Sequence, residues 1–257
     1  MRQTAIDRLL LAGAILIVWE LTARMAGSYW VSSPLLVISR LWEQVVNGDL
    51  WFHGRYTLGE ALGGFLVGAI PGCLAALLLR RRPFLRSAVL AVTAIGYAVP
   101  KTALVPLFIL WLGVGPGAKV ALVASAIFFI VFYSTLNGVE AVNNKLIQSA
   151  RVMGASERQV LRHVVGPSVV PYVFGGLRVA VPYAVAGAIV GEIISSNRGI
   201  GYLIQFGAMD FDTTLVFTSL MTVMALVLAL SAVLGAIQSR LLRWQIASST
   251  QTQAVGV

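Results

Sequence analysis

The sequence predicts an all-α polytopic membrane protein with six transmembrane helices and both termini on the cytoplasmic side. Hydrophobic residues make up 58% of the chain and charged residues 11%, and the mean hydropathy is +0.85, which is too apolar for an ordinary soluble domain. The apolar residues gather into six spans, at about 9–24, 57–79, 88–112, 119–136, 171–195 and 215–242. At ~1.5 Å per residue these lengths suit a ~30 Å hydrocarbon layer, with tilt for the longest. The nineteen lysines and arginines set the orientation. With both termini inside, twelve fall in inner segments: Arg2, Arg8, Arg80, Arg81, Arg82, Arg86, Lys145, Arg151, Arg158, Arg162, Arg240 and Arg243. Five fall in outer segments (Arg24, Arg40, Arg55, Lys119 and Arg198), while Lys101 and Arg178 lie within spans.

The net charge of +9 does not point to nucleic acid, because the basic residues alternate with apolar spans and form no continuous stripe. Cys73 is the single cysteine and sits in a span, and His53 and His163 are far apart, so neither a disulfide framework nor a metal centre is expected.

The first apolar run, Leu9 to Leu21, follows Arg2 and Arg8. A cleaved signal peptide is the rival reading of this run, and its removal would leave five spans and put the termini on opposite sides. From Ser33 the chain reads as a capped helix opening with Pro34. Leu35, Ile38, Leu41, Trp42 and Val45 lie on one face, suited to the outer membrane interface. The second span carries Gly59, Gly63, Gly64, Gly68 and Gly72, which permit close helix approach, and Glu60 reads as an interfacial charge. After the basic turn at Arg80-Arg81-Arg82-Pro83, the third span is interrupted by Pro100-Lys101 and Pro106. Prolines free backbone carbonyls, and a bilayer tolerates these only where protein or a water-filled path receives them, so Pro100, Lys101 and Pro106 are candidate walls of a translocation path. The chain after Trp244 reads as a polar, frayed tail.

The longest polar interruption runs from about 140 to 170. A helix from about Lys145 to Met153 is stopped by Gly154, and Ser156 caps the next helix with Gln159 completing a capping box. Gly166-Pro167 is expected to end that second helix. The stretch resembles the EAA loop of ABC-transporter permeases, Glu-Ala-Ala-x3-Gly-x9-Ile-x-Leu-Pro. Gln148-Ser149-Ala150 falls on the triplet, Gly154 on the glycine and Val164-Val165-Gly166-Pro167 on the last four, with Gln148, Ser149 and Gly166 departing from the pattern.

Further resemblance lies in Pro100-Lys101-Thr102-Ala103-Leu104-Val105-Pro106-Leu107, in Trp111-Leu112-Gly113-Val114-Gly115, in Gly176-Leu177-Arg178, and in Gly191-Glu192-Ile193 followed by Gly199-Ile200-Gly201. These are similar to the permease subfamily serving nitrate, sulfonate and taurine importers. The resemblance implies one permease domain over 1–257 with the type I importer fold, in a bacterial inner membrane. It implies a permease homodimer, two ATP-binding subunits that carry ATP and Mg, and a solute-binding protein, with no cofactor bound by this chain. It also implies that Gln148, Ser149, Ala150, Met153, Gly154, Ala155 and Pro167 form the coupling loop that docks on the ATP-binding subunit.

Two intramembrane charges need an explanation, since an ionisable group near the bilayer centre costs at least ~2.5 kcal/mol. Lys101 either faces the path and favours an anionic solute or pairs with carbonyls freed by the proline break or a carboxylate of a neighbouring span. Arg178 and Glu192 are candidate gate or structural charges. Arg178 is near enough to its span's inner end to snorkel or to touch the coupling loop, and Glu192 is placed near an outer gate or binding-protein surface, or in a structural ion pair. The chain shows no Walker A sequence, catalytic triad spacing or metal cluster, so it is not expected to be an enzyme. An ion-gradient-driven secondary transporter, a membrane-embedded enzyme and an importer of a neutral heterocycle such as a vitamin precursor are the alternatives to an importer of small anions.

Overall fold

The structure is a computed structural model and describes residues 2–27 and 29–242; Arg243 and the polar tail after Trp244 lie outside the described residues. Every regular element among the described residues is helical. Five helices are long and apolar enough to cross a membrane, or six when one bent pair counts as a single span. The chain divides into two compact units, Met1–Gly59 with Ile189–Leu226 and Glu60–Ala188 with Val227–Val257.

The first unit opens with α1 (Arg2–Ala26) and α2 (Pro34–Val46). Ser33 caps α2 by accepting from the Leu36 N–H, and Pro34 fills the first position, where its missing N–H costs nothing. Val37 and Gln44 form the buried side of α2, while Leu35, Ile38, Trp42 and Val45 are exposed, as suits an apolar face turned to lipid. The unit also holds the first part of α3 (Asp49–Leu79), the end of α9, α10 (Ile200–Met209) and the beginning of α11 (Thr213–Leu241). Trp19 Nε1 donates to the Ser32 carbonyl at 2.9 Å, the Ser32 hydroxyl meets Thr214 Oγ1 at 2.9 Å, and the Trp19 and Phe217 rings stack.

The second unit takes α3 onward from Glu60 and adds α4 (Pro83–Ala98), a 3-10 turn at Lys101–Leu104, α5 (Val105–Leu112) and α6 (Pro116–Glu140). Next come α7 (Asn144–Val152), α8 (Glu157–Val160), a π-helical turn at Leu161–Val165, most of α9 (Gly166–Ser195) and the end of α11. The α4 and α5 segments are bent by 83° about the break at Val99-Pro100, so the interrupted third span is two short helices rather than one kinked helix.

Glycines set the closest approach in this unit. A Cβ on Gly64 would collide with Val123, one on Gly68 would stand 2.6 Å from the Ala124 carbonyl oxygen, and one on Gly72 would stand 2.6 Å from that of Phe128. The spacing of four places all three on one stripe of α3, against the α6 backbone. Ala76, Leu79, Phe132 and Leu136 continue the same contact as a buried cluster.

One expectation is overturned. Gly166-Pro167 does not end the helix: residues run helically from Glu157 to Ser195. The reason is the π turn, in which the Gly166 N–H donates five residues back to the Leu161 carbonyl. The widened turn accommodates Pro167, which has no N–H to give and whose ring would otherwise crowd the preceding turn.

Replacing Gly68 by leucine is expected to destabilise the solubilised protein by ~1–3 kcal/mol or more through overpacking. Gly59→Leu, at a position with open space, serves as the control, and thermal unfolding of the two variants in one detergent checks the difference.

Candidate functional site

The 140–170 segment is a stiff helical corner. Asn143 caps α7 by accepting from the Lys145 N–H at 2.9 Å. At the far end Gly154 takes φ +81, the Ala155 N–H reaches back to the Ala150 carbonyl and the Gly154 N–H to that of Arg151, which together form a Schellman closure. Ser156 and Gln159 form the expected capping box at the start of α8. Below the corner, Val142, Val160, Val165 and Val169 form a buried cluster, with Leu77, Ile147, Ala150 and Ala155 packed against it.

Of the residues singled out in this segment, Gln148 and Ser149 are exposed, Ala150 and Ala155 are half-buried, and Gly154 is exposed. Met153 is 86% exposed and Val152 88%, which is unusual for large apolar side chains on a capped, rigid turn. Ser149, Ala150, Met153 and Pro167 come together on one open cleft, joined by Leu146, His163 and Val164.

Glu157 is the electrostatic hub of this corner. Its carboxylate receives Arg151 Nη2 at 2.6 Å and Arg80 Nη2 at 3.2 Å, with Arg81 Nε at 3.7 Å. The Arg151 hydrogen bond, ahead of the other arginines, holds this carboxyl below the usual carboxylate range. A second ion pair joins Arg86 to Glu140.

The broken span shows where its freed carbonyls go. Pro100 has no N–H to offer the Gly96 carbonyl four residues back, and the Lys101 ammonium takes that carbonyl instead. The same ammonium donates to the Val99 carbonyl at 2.9 Å and the Tyr97 carbonyl at 3.4 Å, and lies 4.7 Å from the Phe129 ring centre. Pro100 and Pro106 are exposed on either side. Tyr97, at the end of α4, is 57% exposed and makes edge contacts with Phe129 and Tyr133.

Two glutamates are buried. Glu60 is buried in α3 and accepts from Lys119 Nζ at 2.9 Å, so the sequence-based reading of each as a lone charge gives way to a buried pair; the side chains are 5% and 6% exposed. Glu192 is fully buried and so lies at no partner surface. Its two oxygens accept from Thr57 Oγ1 and the Gly201 N–H, each at 2.7 Å. Thr57 Oγ1 in turn accepts from the Ile200 N–H at 2.9 Å, and His53 Nδ1 accepts from the Gly199 N–H at 3.1 Å. Three successive amides at the start of α10 therefore each find a side-chain acceptor, and the carboxylate sits where the helix dipole favours negative charge. Gly199, at φ +102, and Gly201 are required because a Cβ on either would run into Glu192. Arg178 is exposed on α9, with Nη2 3.8 Å from where a Cβ on Gly235 would stand.

Residues 64–245 match the family described as the inner membrane component of binding-protein-dependent transport systems. The chain belongs to this family. The permease is 34% identical to the riboflavin transport system permease RibX of Chloroflexus aurantiacus over 90% of this chain and 87% of that protein. It is 31% identical to the formylaminopyrimidine transport permease ThiX of Halalkalibacterium halodurans, over 90% and 92% respectively, and 26% identical to the taurine permease TauC of Escherichia coli, over 95% and 90%. A chain of the MetNI methionine ABC transporter, in an inward-facing conformation, shares the fold at a TM-score of 0.60 and 20% identity, over 80% of this chain and 97% of that one.

The permease is therefore a multi-pass inner-membrane subunit of an ABC importer, and hydrolysis of ATP belongs to separate subunits. Membership of this family displaces the ion-gradient transporter and the membrane enzyme as readings. Sequence reasoning missed the Glu60–Lys119 pair, the hub at Glu157 and the roles of Thr57 and His53. Glu60 and Lys119 are 59 positions apart, and only their placement on neighbouring spans would have signalled a pair.

Lys119→Met in the permease is expected to cost ~3–5 kcal/mol by leaving Glu60 buried with its partner gone, whereas the double change Glu60→Gln with Lys119→Met recovers most of that loss. Thermal unfolding of the two variants checks it. Thr57→Val removes one acceptor and one donor at α10 and is expected to cost ~1–3 kcal/mol and to raise protease cleavage around residues 196–199.

Proposed function

We propose that this permease pairs with a second copy and couples ATP hydrolysis to solute import through the 140–170 corner, which lies on the cytoplasmic side as the basic residues indicate. The observation that carries this reading is the rigid, doubly capped turn presenting Leu146, Val152 and Met153 to solvent beside an open cleft. A docking element must transmit displacement without deforming, and the Schellman closure, capping box and valine cluster all resist deformation. The docking residues are Gln148, Ser149, Ala150, Met153, Gly154, Ala155 and Pro167, with Gln148 and Ser149 departing from the family's pattern. ATP and Mg reside on the two ATP-binding subunits, and a binding protein delivers the solute.

For the solute, we favour a planar heterocycle of the flavin or aminopyrimidine kind. The relatives RibX and ThiX support it, and so does the committed state of Lys101, whose ammonium is taken up by three carbonyls and a ring face. The exposed Tyr97 ring beside Phe129 and Tyr133 offers a stacking surface at the broken span, and aromatic contacts of this type contribute ~0.5–1.5 kcal/mol each. A sulfonate is the second reading, favoured by the likeness to TauC.

Met153→Glu is expected to lower solute-stimulated ATP hydrolysis about tenfold or more, because a carboxylate forced into an apolar docking interface costs several kcal/mol. The measurement uses proteoliposomes holding the permease, its ATP-binding subunits and its binding protein. Stimulation by riboflavin or a formylaminopyrimidine, and not by taurine, is the expected pattern; stimulation by taurine alone establishes the sulfonate reading.

A further inference from the structure

Resting on the docking role just proposed, the charge arrangement around Glu157 points to a specific device. Apolar packing holds the corner down: Ile147 and Ala150 of α7 lie on a cluster to which Leu77 of α3 also contributes. Such packing is non-directional and leaves a helix able to slide or rotate over its seat. Gly154, at the apex between α7 and α8, has nothing within 4 Å of a Cβ position, so no side chain braces the apex from outside. The Schellman closure and the capping box fix the turn internally, and directional restraint between the corner and the turn after α3 comes from one carboxylate. Glu157 stands at the first position of α8, accepts hydrogen bonds from Arg151 in the last turn of α7 and from Arg80 in the turn after α3, and has Arg81 of that turn within ion-pair range. Charge-assisted hydrogen bonds to guanidinium groups fix angle as well as distance. Arg80 is only 12% exposed, which shields its pairing from solvent more than an ordinary surface pair.

We infer that Glu157 is a positioning residue for coupling, the tie that makes α7, α8 and the α3–α4 turn move as one body, so that displacement of the docking helix reaches the membrane helices undiminished. Without the tie, the corner turns as a unit over its apolar seat, and part of each stroke of the ATP-binding subunits is lost before it reaches the turn after α3.

The test uses the assembled transporter with the permease labelled at two exposed sites outside the docking residues, Lys145→Cys on α7 and Phe84→Cys, and with Cys73→Ser to remove the native thiol. Spin-label distances between residues 145 and 84 are recorded with and without ATP, and solute moved per ATP hydrolysed is measured in proteoliposomes. In the parent the distance distribution is expected to stay narrow and unchanged between nucleotide states. Glu157→Gln is expected to broaden it and lower solute moved per ATP several-fold, with hydrolysis itself retained, while Glu157→Asp stays nearer the parent on both. A distance distribution or a transport ratio that remains at the parent value in Glu157→Gln overturns the inference. Absence of ATP-driven uptake in the parent itself counts instead against the docking role, and the distance distributions still judge the tie.

Discussion

A backbone polar group in a bilayer has no water to turn to, and that constraint governs this chain wherever its helices are interrupted. At the break before Pro100 the Gly96 carbonyl loses its natural donor, and the Lys101 ammonium supplies one. At the start of α10 the amides of Gly199, Ile200 and Gly201 have no helical acceptor, and His53, Thr57 and Glu192 provide three. Charged side chains that would be costly in hydrocarbon are thus placed where irregular backbone needs them, so one cost offsets the other.

Close packing imposes a second requirement on the same helices. Between apolar helices in lipid the hydrophobic effect offers little, so association relies on van der Waals contact and buried polar pairs. The α3 stripe at Gly64, Gly68 and Gly72 allows backbone-to-backbone approach, and the Glu60–Lys119 pair joins the same two helices by a charge-assisted bond. The stripe is shape-selective and the pair is direction-selective. Together they specify one register of α3 on α6 where a smooth apolar surface would permit several.

The spans, the capped helix at Ser33, the capping box at Ser156 and the stop at Gly154 were legible in the sequence because each depends on neighbours within a few positions. The family's motifs were legible for the same reason. What escaped reading depends on residues far apart in the chain. Glu192 stood between a gate charge and a structural charge because its partners include Thr57, 135 positions earlier. Lys119 was not read as half of a pair because nothing local names Glu60 as its acceptor. Gly166-Pro167 looked like a helix end because proline is ordinarily one, and a π turn leaves no recognisable signature in composition.

The glutamates of this permease separate by what surrounds them rather than by type. Glu192 is wholly buried, accepts from the Thr57 hydroxyl and the Gly201 amide, and serves to hold a helix end. Glu60 is buried against one ammonium and serves to set a register. Glu157 is partly open to solvent among three guanidinium groups, where no single pair is worth much but the three come from α7 and the turn after α3 while Glu157 itself lies beyond the glycine apex. Its contribution is therefore to geometry under load more than to stability at rest. That is the property the proposed coupling role requires of it.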